Sequence, residues 1–300
     1  MDLWRTVCAD DSSHPLAPVV GTAPGLPGEA GNLQASAPPE TPWNHPAGSG
    51  TVHLVHDYFG GDVAARYDEG DERFGTAWLG PEVDLLADLA GSGGRALELA
   101  IGTGRVALPL RERGVDVHGV DLSEAMVARL RAKPGGAEVP VTIGDMSSTV
   151  VPGAGTFDLV YLVYNTIGNL ADAELQHACF ANAARHLRPG GAFLVETHTP
   201  GVQHVAPGER YRVFTHREDY LGFDEYDRTT QLMWSHHYRF AADGTYRRNS
   251  VPFRYTWPAE LDAMARAAGL RPRDRWGGWT REPFTGASER HVSTWVSPEE

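Results

Sequence analysis

Between Arg95 and Thr197 short apolar runs alternate with segments of helical periodicity, and this alternation constrains the fold more than any other feature of the chain. It predicts a parallel sheet covered on both faces, because parallel strands connect through crossovers that lay helices on the sheet. Strands are expected at 95–99, 116–120, 139–143, 157–163 and 192–196, with helices at 104–113, 123–133 and 172–187. Ser123 and Asp172 stand where N-caps are needed, and Arg188-Pro-Gly-Gly191 ends the last helix. Upstream, Pro81 is read as a helix start; Val83, Leu85, Leu86 and Leu89 follow, and Gly91-Ser-Gly-Gly94 closes the helix.

The flanking regions differ in character. Residues 1–50 hold eight prolines and six glycines and few branched or aromatic residues, so a tail unable to offset its ordering entropy is expected. Residues 51–80 carry apolar and aromatic side chains at helical spacing, at 52–59 and 64–68, and read as lid helices before a core at 81–197. Beyond Thr197 come aromatic-rich strands at 229–240 and 245–257, joined by Ala-Ala-Asp-Gly244, a hairpin signal; 198–257 is therefore read as an antiparallel cover. A helix at 258–268 and strands near 271–276 and 291–296 complete the core. The expected fold is α/β: a doubly wound, mostly parallel, seven-stranded sheet with N-terminal lid helices and an inserted antiparallel cover.

Charge and composition narrow the partners. The chain has 39 acidic and 26 basic side chains, a net charge of -13 that repels a phosphate backbone, so no nucleic-acid partner is expected. Cys8 and Cys179 lie far apart and suggest neither a disulfide framework nor a metal site. Met-Asp-Leu-Trp-Arg-Thr at the start lacks a secretory pattern, and no apolar run is long enough to span a bilayer; a cytoplasmic protein without membrane association is expected.

The chemistry gathers at strand ends. A strand ending in Leu97-Glu98-Leu99 runs through Gly102-Thr-Gly104 into a helix, a tight turn that lets a ligand approach the backbone. The next strand ends at Asp121, where a carboxylate can accept from ribose hydroxyls. Taken alone, this pair suits a nicotinamide enzyme as well as other nucleoside-binding proteins.

Three further segments separate these readings. Glu98-Leu-Ala-Ile-Gly-Thr-Gly104, Val120-Asp-Leu-Ser-Glu-Ala-Met126 and Ile143-Gly-Asp-Met146 resemble, in order and spacing, the first three motifs of the class I S-adenosylmethionine-dependent methyltransferases. Phe157-Asp-Leu-Val-Tyr-Leu-Val163 and Leu187-Arg-Pro-Gly-Gly-Ala-Phe-Leu194 are similar to that family's fourth strand and the turn before its fifth. The resemblance covers roughly 81–196 and implies S-adenosylmethionine as cofactor and S-adenosylhomocysteine as product. It implies cofactor-binding roles for Glu98, Ala100, Gly102, Gly104, Asp121, Leu122, Met126, Asp145, Met146 and Leu162. The absence of a Walker lysine agrees, since this cofactor has no phosphates.

The same resemblance places the loop after the fourth strand, Tyr164-Asn-Thr-Ile-Gly-Asn169, beside the reactive methyl. Tyr164, Asn165 and Asn169 would position the acceptor by hydrogen bonds, while Asn165 and Asn169 would serve equally well as turn residues. Arg66-Tyr67-Asp68 is similar to the lid of small-molecule methyltransferases, where the tyrosine closes over the sulfonium. His198 is the first candidate base; Glu196 lies near it, and His236 and His237 should face opposite sides of a strand. No metal is expected. The aromatic cover would suit a bulky small-molecule acceptor or a homo-oligomer interface. The alternatives are an NAD(P)-dependent oxidoreductase, which lacks a visible hydride-transfer set, and a cofactor-binding protein that transfers no methyl group.

Overall fold

A computed structural model describes residues 61, 64, 65, 67, 68 and 76–299 of the protein. The expectations for the 1–50 tail, the 52–59 helix and Arg66 lie outside these residues. The elements run α1 (Thr76–Ala90), β1 (Arg95–Leu99), α2 (Ala107–Glu112), β2 (Asp116–Asp121), α3 (Glu124–Arg131), β3 (Val141–Ile143) and β4 (Phe157–Leu162). A 3-10 turn (Thr166–Asn169), α4 (Ala173–His186) and β5 (Leu187–His198) follow. Then come β6 (Tyr211–His216), β7 (Tyr220–Tyr226), β8 (Leu232–Phe240), β9 (Tyr246–Arg254), α5 (Pro258–Ala267), β10 (Arg271–Trp276) and β11 (Arg290–Val296).

The main sheet has seven strands in the order β10-β11-β5-β4-β1-β2-β3. β1 to β5 pair in parallel and β11 runs antiparallel to both β5 and β10. The order reverses between β1 and β4, and a sheet wound this way opens a crevice at the carboxyl ends of those strands. Alternation along the strands divides the core. Leu97, Leu99, Val160, Leu162, Phe193 and Trp295 pack against Phe180 of α4 and Leu261 and Met264 of α5. Ala96, Leu159, Tyr161, Leu194 and Val292 pack against Val83 and Leu86 of α1 and Leu110 of α2. Phe180 meets Phe193 and Trp295 edge-on at centroid distances of 5.0 and 5.2 Å, and each such side chain contributes about 2 to 3 kcal/mol by leaving water.

Ser123 and Asp172 cap α3 and α4 as expected, accepting from Met126 N and Glu174 N. Several boundaries move for physical reasons. The helix expected from residue 104 begins at Ala107, because Gly102 and Gly104 hold φ of 58° and 77° and extend the turn. Pro81 lies inside α1, where its ring deletes a single hydrogen bond near the helix start. The third strand shrinks to Val141–Ile143. Arg188-Pro-Gly-Gly191 falls within β5 as an irregularity: Phe157 pairs with Leu187 and Leu159 with Ala192, so the residues between bulge from the ladder.

The cover is a four-stranded antiparallel meander, β6-β7-β8-β9, where sequence pattern suggested two strands. β6 and β7 were hidden by their charge, since Arg212, Asp224 and Glu225 interrupt the apolar alternation. The hairpin at Ala241 to Gly244 is present, closed by Ala241 N donating to Thr245 O. One face packs Tyr226 and Met233 with Val202, Val205 and Tyr255. The opposite face carries an aromatic row, Tyr211, Phe223, Tyr238 and Tyr246, with neighbouring ring centroids 5.7 to 6.0 Å apart. No helix among the described residues is long and apolar enough to cross a membrane.

Candidate active site

The glycine loop after β1 is shaped by its backbone. Ala100, Gly102 and Gly104 all have positive φ, a region that costs an ordinary L residue about 1 kcal/mol or more. A Cβ at Gly104 would also overlap Leu130, which is fully buried, so both space and φ require glycine there. Asp121, at the end of β2, fastens this loop: one carboxylate oxygen accepts from Gly102 N at 2.6 Å and the other from Ser123 N at 2.8 Å. A carboxylate has about four lone-pair positions, so its chemistry suits accepting from ribose hydroxyls as well as from these amides. The Met126 side chain packs beside Gly102. Leu122 and Ile143 are exposed at neighbouring strand ends and offer the apolar slot an adenine needs.

The third motif turn is built from side chains. Asp145 accepts from Ser147 N at 2.7 Å, and Asn182 of α4 donates to Met146 O and Thr149 O. Met146 packs on the core. Leu162 has no exposed surface: it lies in the sheet core with Leu97 and Leu99, so it supports the site from below and is not a wall of it. These groups fit the cofactor that the motifs imply, offering backbone, a carboxylate and apolar surface without a cationic cluster. Replacing Asp121 by alanine is expected to weaken S-adenosylmethionine binding by about 1 to 3 kcal/mol, measured by calorimetry, since the loop anchor and the expected ribose acceptor are lost together.

Glu98 is placed differently from a group that touches ligand. It is 4% exposed, faces α1, and its carboxylate accepts from Tyr161 OH at 2.9 Å. Burial, partly offset by Tyr161 and Arg105, pushes its pKa up to about 8. Glu196 of β5 lies on the same face, and burial together with Glu82 raises it to about 7. The counter-charge comes from Arg105, directly after the glycine loop. Its guanidinium donates to both oxygens of Glu82 on α1 at 2.7 and 3.1 Å and stands 5.4 Å from the centre of the Tyr164 ring. Arg105 and Glu82 were not among the expected site residues. The arginine inside Gly-Thr-Gly-Arg-Val and the acid directly after Pro81 were the available signals.

The acceptor loop is strained and pinned. Tyr164 and Asn165 have successive φ of 66° and 57°, which costs roughly 1 to 3 kcal/mol each unless the surroundings impose it. β5 imposes it. Glu196 Oε2 accepts from Tyr164 N at 2.6 Å, Glu196 O accepts from Asn165 N at 3.2 Å, and Asn165 Oδ1 accepts from Thr197 Oγ1 at 2.6 Å and His198 N at 3.3 Å. His198 therefore lies beside Asn165 by its backbone, half-buried at the end of β5. Asn169 closes the turn with a buried Oδ1 that has no hydrogen-bond donor.

Two other candidates lie in the cover. As alternation required, His236 and His237 take opposite faces: His236 Nδ1 contacts Ser250 Oγ and its ring faces Glu225, while His237 Nδ1 meets Tyr220 OH at 2.6 Å. Burial lowers His237 to about 4, leaving it neutral and structural. The cover docks on the acceptor loop through β9. Phe253 lies against Gly168, and buried Arg254 bonds Gln176, Thr256, Gln231 and Glu260. Sequence reading passed over this Arg254–Gln176 clasp, because the two residues are 78 positions apart.

Comparison with known proteins agrees with this geometry. A family model described as a methyltransferase domain matches residues 96–191. The cypemycin N-terminal methyltransferase of a Streptomyces species is 30% identical over 226 residues, 71% of this chain and 89% of that protein. A dTDP-4-amino-2,3,4,6-tetradeoxy-D-glucose N,N-dimethyltransferase of Saccharopolyspora spinosa is 28% identical over 152 residues, 49% of this chain and 59% of that protein. Among solved structures, the CcbJ methyltransferase of Streptomyces caelestis superimposes with a TM-score of 0.71 at 31% identity, over 81% of this chain and all of that one. With the glycine loop, the Asp121 anchor and the sheet order all in place, the chain belongs to the class I S-adenosylmethionine-dependent methyltransferases.

Proposed function

We propose that the chain methylates an amine nitrogen of a small molecule, within the crevice between the Tyr164 to Asn169 loop and the aromatic cover. The observation that carries this reading is the docking of β9 on that loop, Phe253 against Gly168, which sets the cover face that carries Phe253, Met233 and Tyr226 toward the residues expected beside the methyl group. The choice of nitrogen draws on two relatives, one named an N-terminal methyltransferase and one an N,N-dimethyltransferase.

S-adenosylmethionine supplies an electrophilic methyl group on a sulfonium. The protein's part is alignment and exclusion of water, so a strong base is not required. Asn165 and Tyr164, fixed by Glu196 and Thr197, hold the acceptor, with Tyr67 of the lid on the opposite side. His198 is proposed to take up the proton that the product ammonium releases. A cytoplasmic location goes with such a metabolic role.

The reading is tested by incubating the protein with methyl-labelled S-adenosylmethionine and a panel of amino sugars, amino acids and short peptides. Label retained on nitrogen after acid hydrolysis supports it; label on oxygen or carbon replaces the acceptor, and no transfer to any metabolite would leave a cofactor-binding protein. Asn165→Ala, which removes the Thr197 partner at a left-handed position, is expected to lower kcat about tenfold or more while S-adenosylhomocysteine affinity stays within about threefold.

A further inference from the structure

The 300-residue chain contains a single lysine, and it stands against the lid. Lys133, just past α3, has its ammonium 2.7 Å from Asp68 Oδ2 and donates to Thr103 O at 2.8 Å. Thr103, in the middle of the glycine loop and fully buried, donates its hydroxyl to Asp68 Oδ1 at 2.7 Å. Both oxygens of Asp68 are therefore held across to the other side of the site, one by the loop and one by the segment behind the Asp121 strand. Tyr67 precedes Asp68 and lies near Arg105. A carboxylate gripped by an ammonium and a hydroxyl, with the ammonium also anchored to a carbonyl, forms a closed ring of charge-assisted bonds. The pair is partly exposed, at 29% and 20% for lysine and aspartate, so it can open and close against water without the cost of a fully buried charge.

We propose that Lys133 is the latch of the lid: a positioning residue that holds Asp68, and with it Tyr67, over the cofactor and sets how fast the cofactor side of the site opens. This rests on the methyltransferase reading, and the tests below separate the two. Lid opening governs ligand release in many enzymes, so the latch should appear in the release rate of S-adenosylhomocysteine more than in the chemical step. Lys133→Met and Asp68→Asn are each expected to speed release about three- to tenfold in stopped-flow displacement, with Lys133→Arg within about twofold of the parent. Because both changes break one ring, the double variant should release no faster than either single variant. Parent-like release from both single variants, or additive effects in the double, would overturn the latch while leaving the cofactor site intact. Failure of the unaltered protein to bind S-adenosylhomocysteine would overturn the methyltransferase reading, and the latch with it.

A second measurement needs no variant. Apart from the chain's amino terminus, Lys133 offers the sole amine to an acetylating N-hydroxysuccinimide ester, and peptide mass mapping reads its modification alone. Saturating S-adenosylhomocysteine is expected to slow acetylation of Lys133 at least about threefold by keeping the latch closed. Equal rates with and without it would overturn the proposal.

Discussion

Arg105→Met is expected to lower the unfolding free energy by about 3 to 5 kcal/mol, because it leaves the buried Glu82 carboxylate without its two guanidinium bonds. For a domain of this size that corresponds to a fall in melting temperature on the order of 10 °C. The side chain joins three parts of the site: Glu82 on α1, the glycine loop it follows, and the Tyr164 ring. The loss should therefore be larger at pH 8 than at pH 5, where protonation of the neighbouring acids relieves the uncompensated charge. Adding Glu82→Gln to Arg105→Met should recover part of the stability, since it removes the orphaned carboxylate. Thermal melts of the two variants at both pH values check this, and an Arg105→Met protein as stable as the parent would exclude Arg105 as the keystone of the cluster.

The pH dependence of the unaltered protein follows from its buried groups: stability should stay nearly level between about pH 4.5 and 6.5 and fall above 6.5. Glu98, raised from 4.5 to about 8, and Glu196, raised to about 7, hold protons in the folded chain that the unfolded chain has released. Their contribution is fully present below pH 4.5 and is lost as pH rises through those folded values. The buried histidines act oppositely. His291, lowered to about 3, and His237, lowered to about 4, stay neutral in the fold while the unfolded chain takes up protons below 6.5. Stability from these histidines thus grows between about pH 3 and 6.5 and offsets the carboxyl loss over that range. Above 6.5 the two glutamates still titrate, and Glu98 alone removes about 2 kcal/mol between pH 6.5 and 8. Glu98→Gln, which keeps an acceptor for Tyr161 OH, is expected to flatten that alkaline limb. A limb of unchanged slope in urea titrations from pH 6.5 to 8 would show that Glu98 is ionised in the folded protein.

Much of this architecture was legible in the sequence because local rules and tertiary need coincide. Glycines at 102 and 104 mark the turn, Ser123 and Asp172 mark helix starts, and the apolar strands of the core must be covered on both faces. The comparisons bear out the family that the ordered motifs suggested. What escaped were side-chain alliances with no local signature. Glu98 read as a ligand contact, since its spacing from the glycines is fixed, but alternation along β1 turns it toward α1 and Tyr161. Leu162 was misplaced for a similar reason: a strand-end leucine exposes one face or the other depending on which helices cover it, here α4 and α5. The strands β6 and β7 were missed because a half-exposed antiparallel sheet tolerates charge at alternate positions.

The path of the cover has a consequence for how this enzyme's selectivity can change. The chain leaves the main sheet at His198, at the carboxyl end of β5, and returns at Pro258, whose helix leads down to β10, a strand running in the same direction as β5. The whole meander is thus one excursion with both junctions on one rim, and it shares no ladder with the seven-stranded sheet. A cassette mounted in this way can be exchanged between homologous scaffolds without disturbing the register beneath it. The joints to match include Phe253 on Gly168, the Arg254 grip on Gln176 and Glu260, and the bonds of Gln231 to Glu260 and Thr199 to Ser288. On the proposed reading, acceptor preference would travel with the cassette, whereas methyl-donor recognition stays with the scaffold.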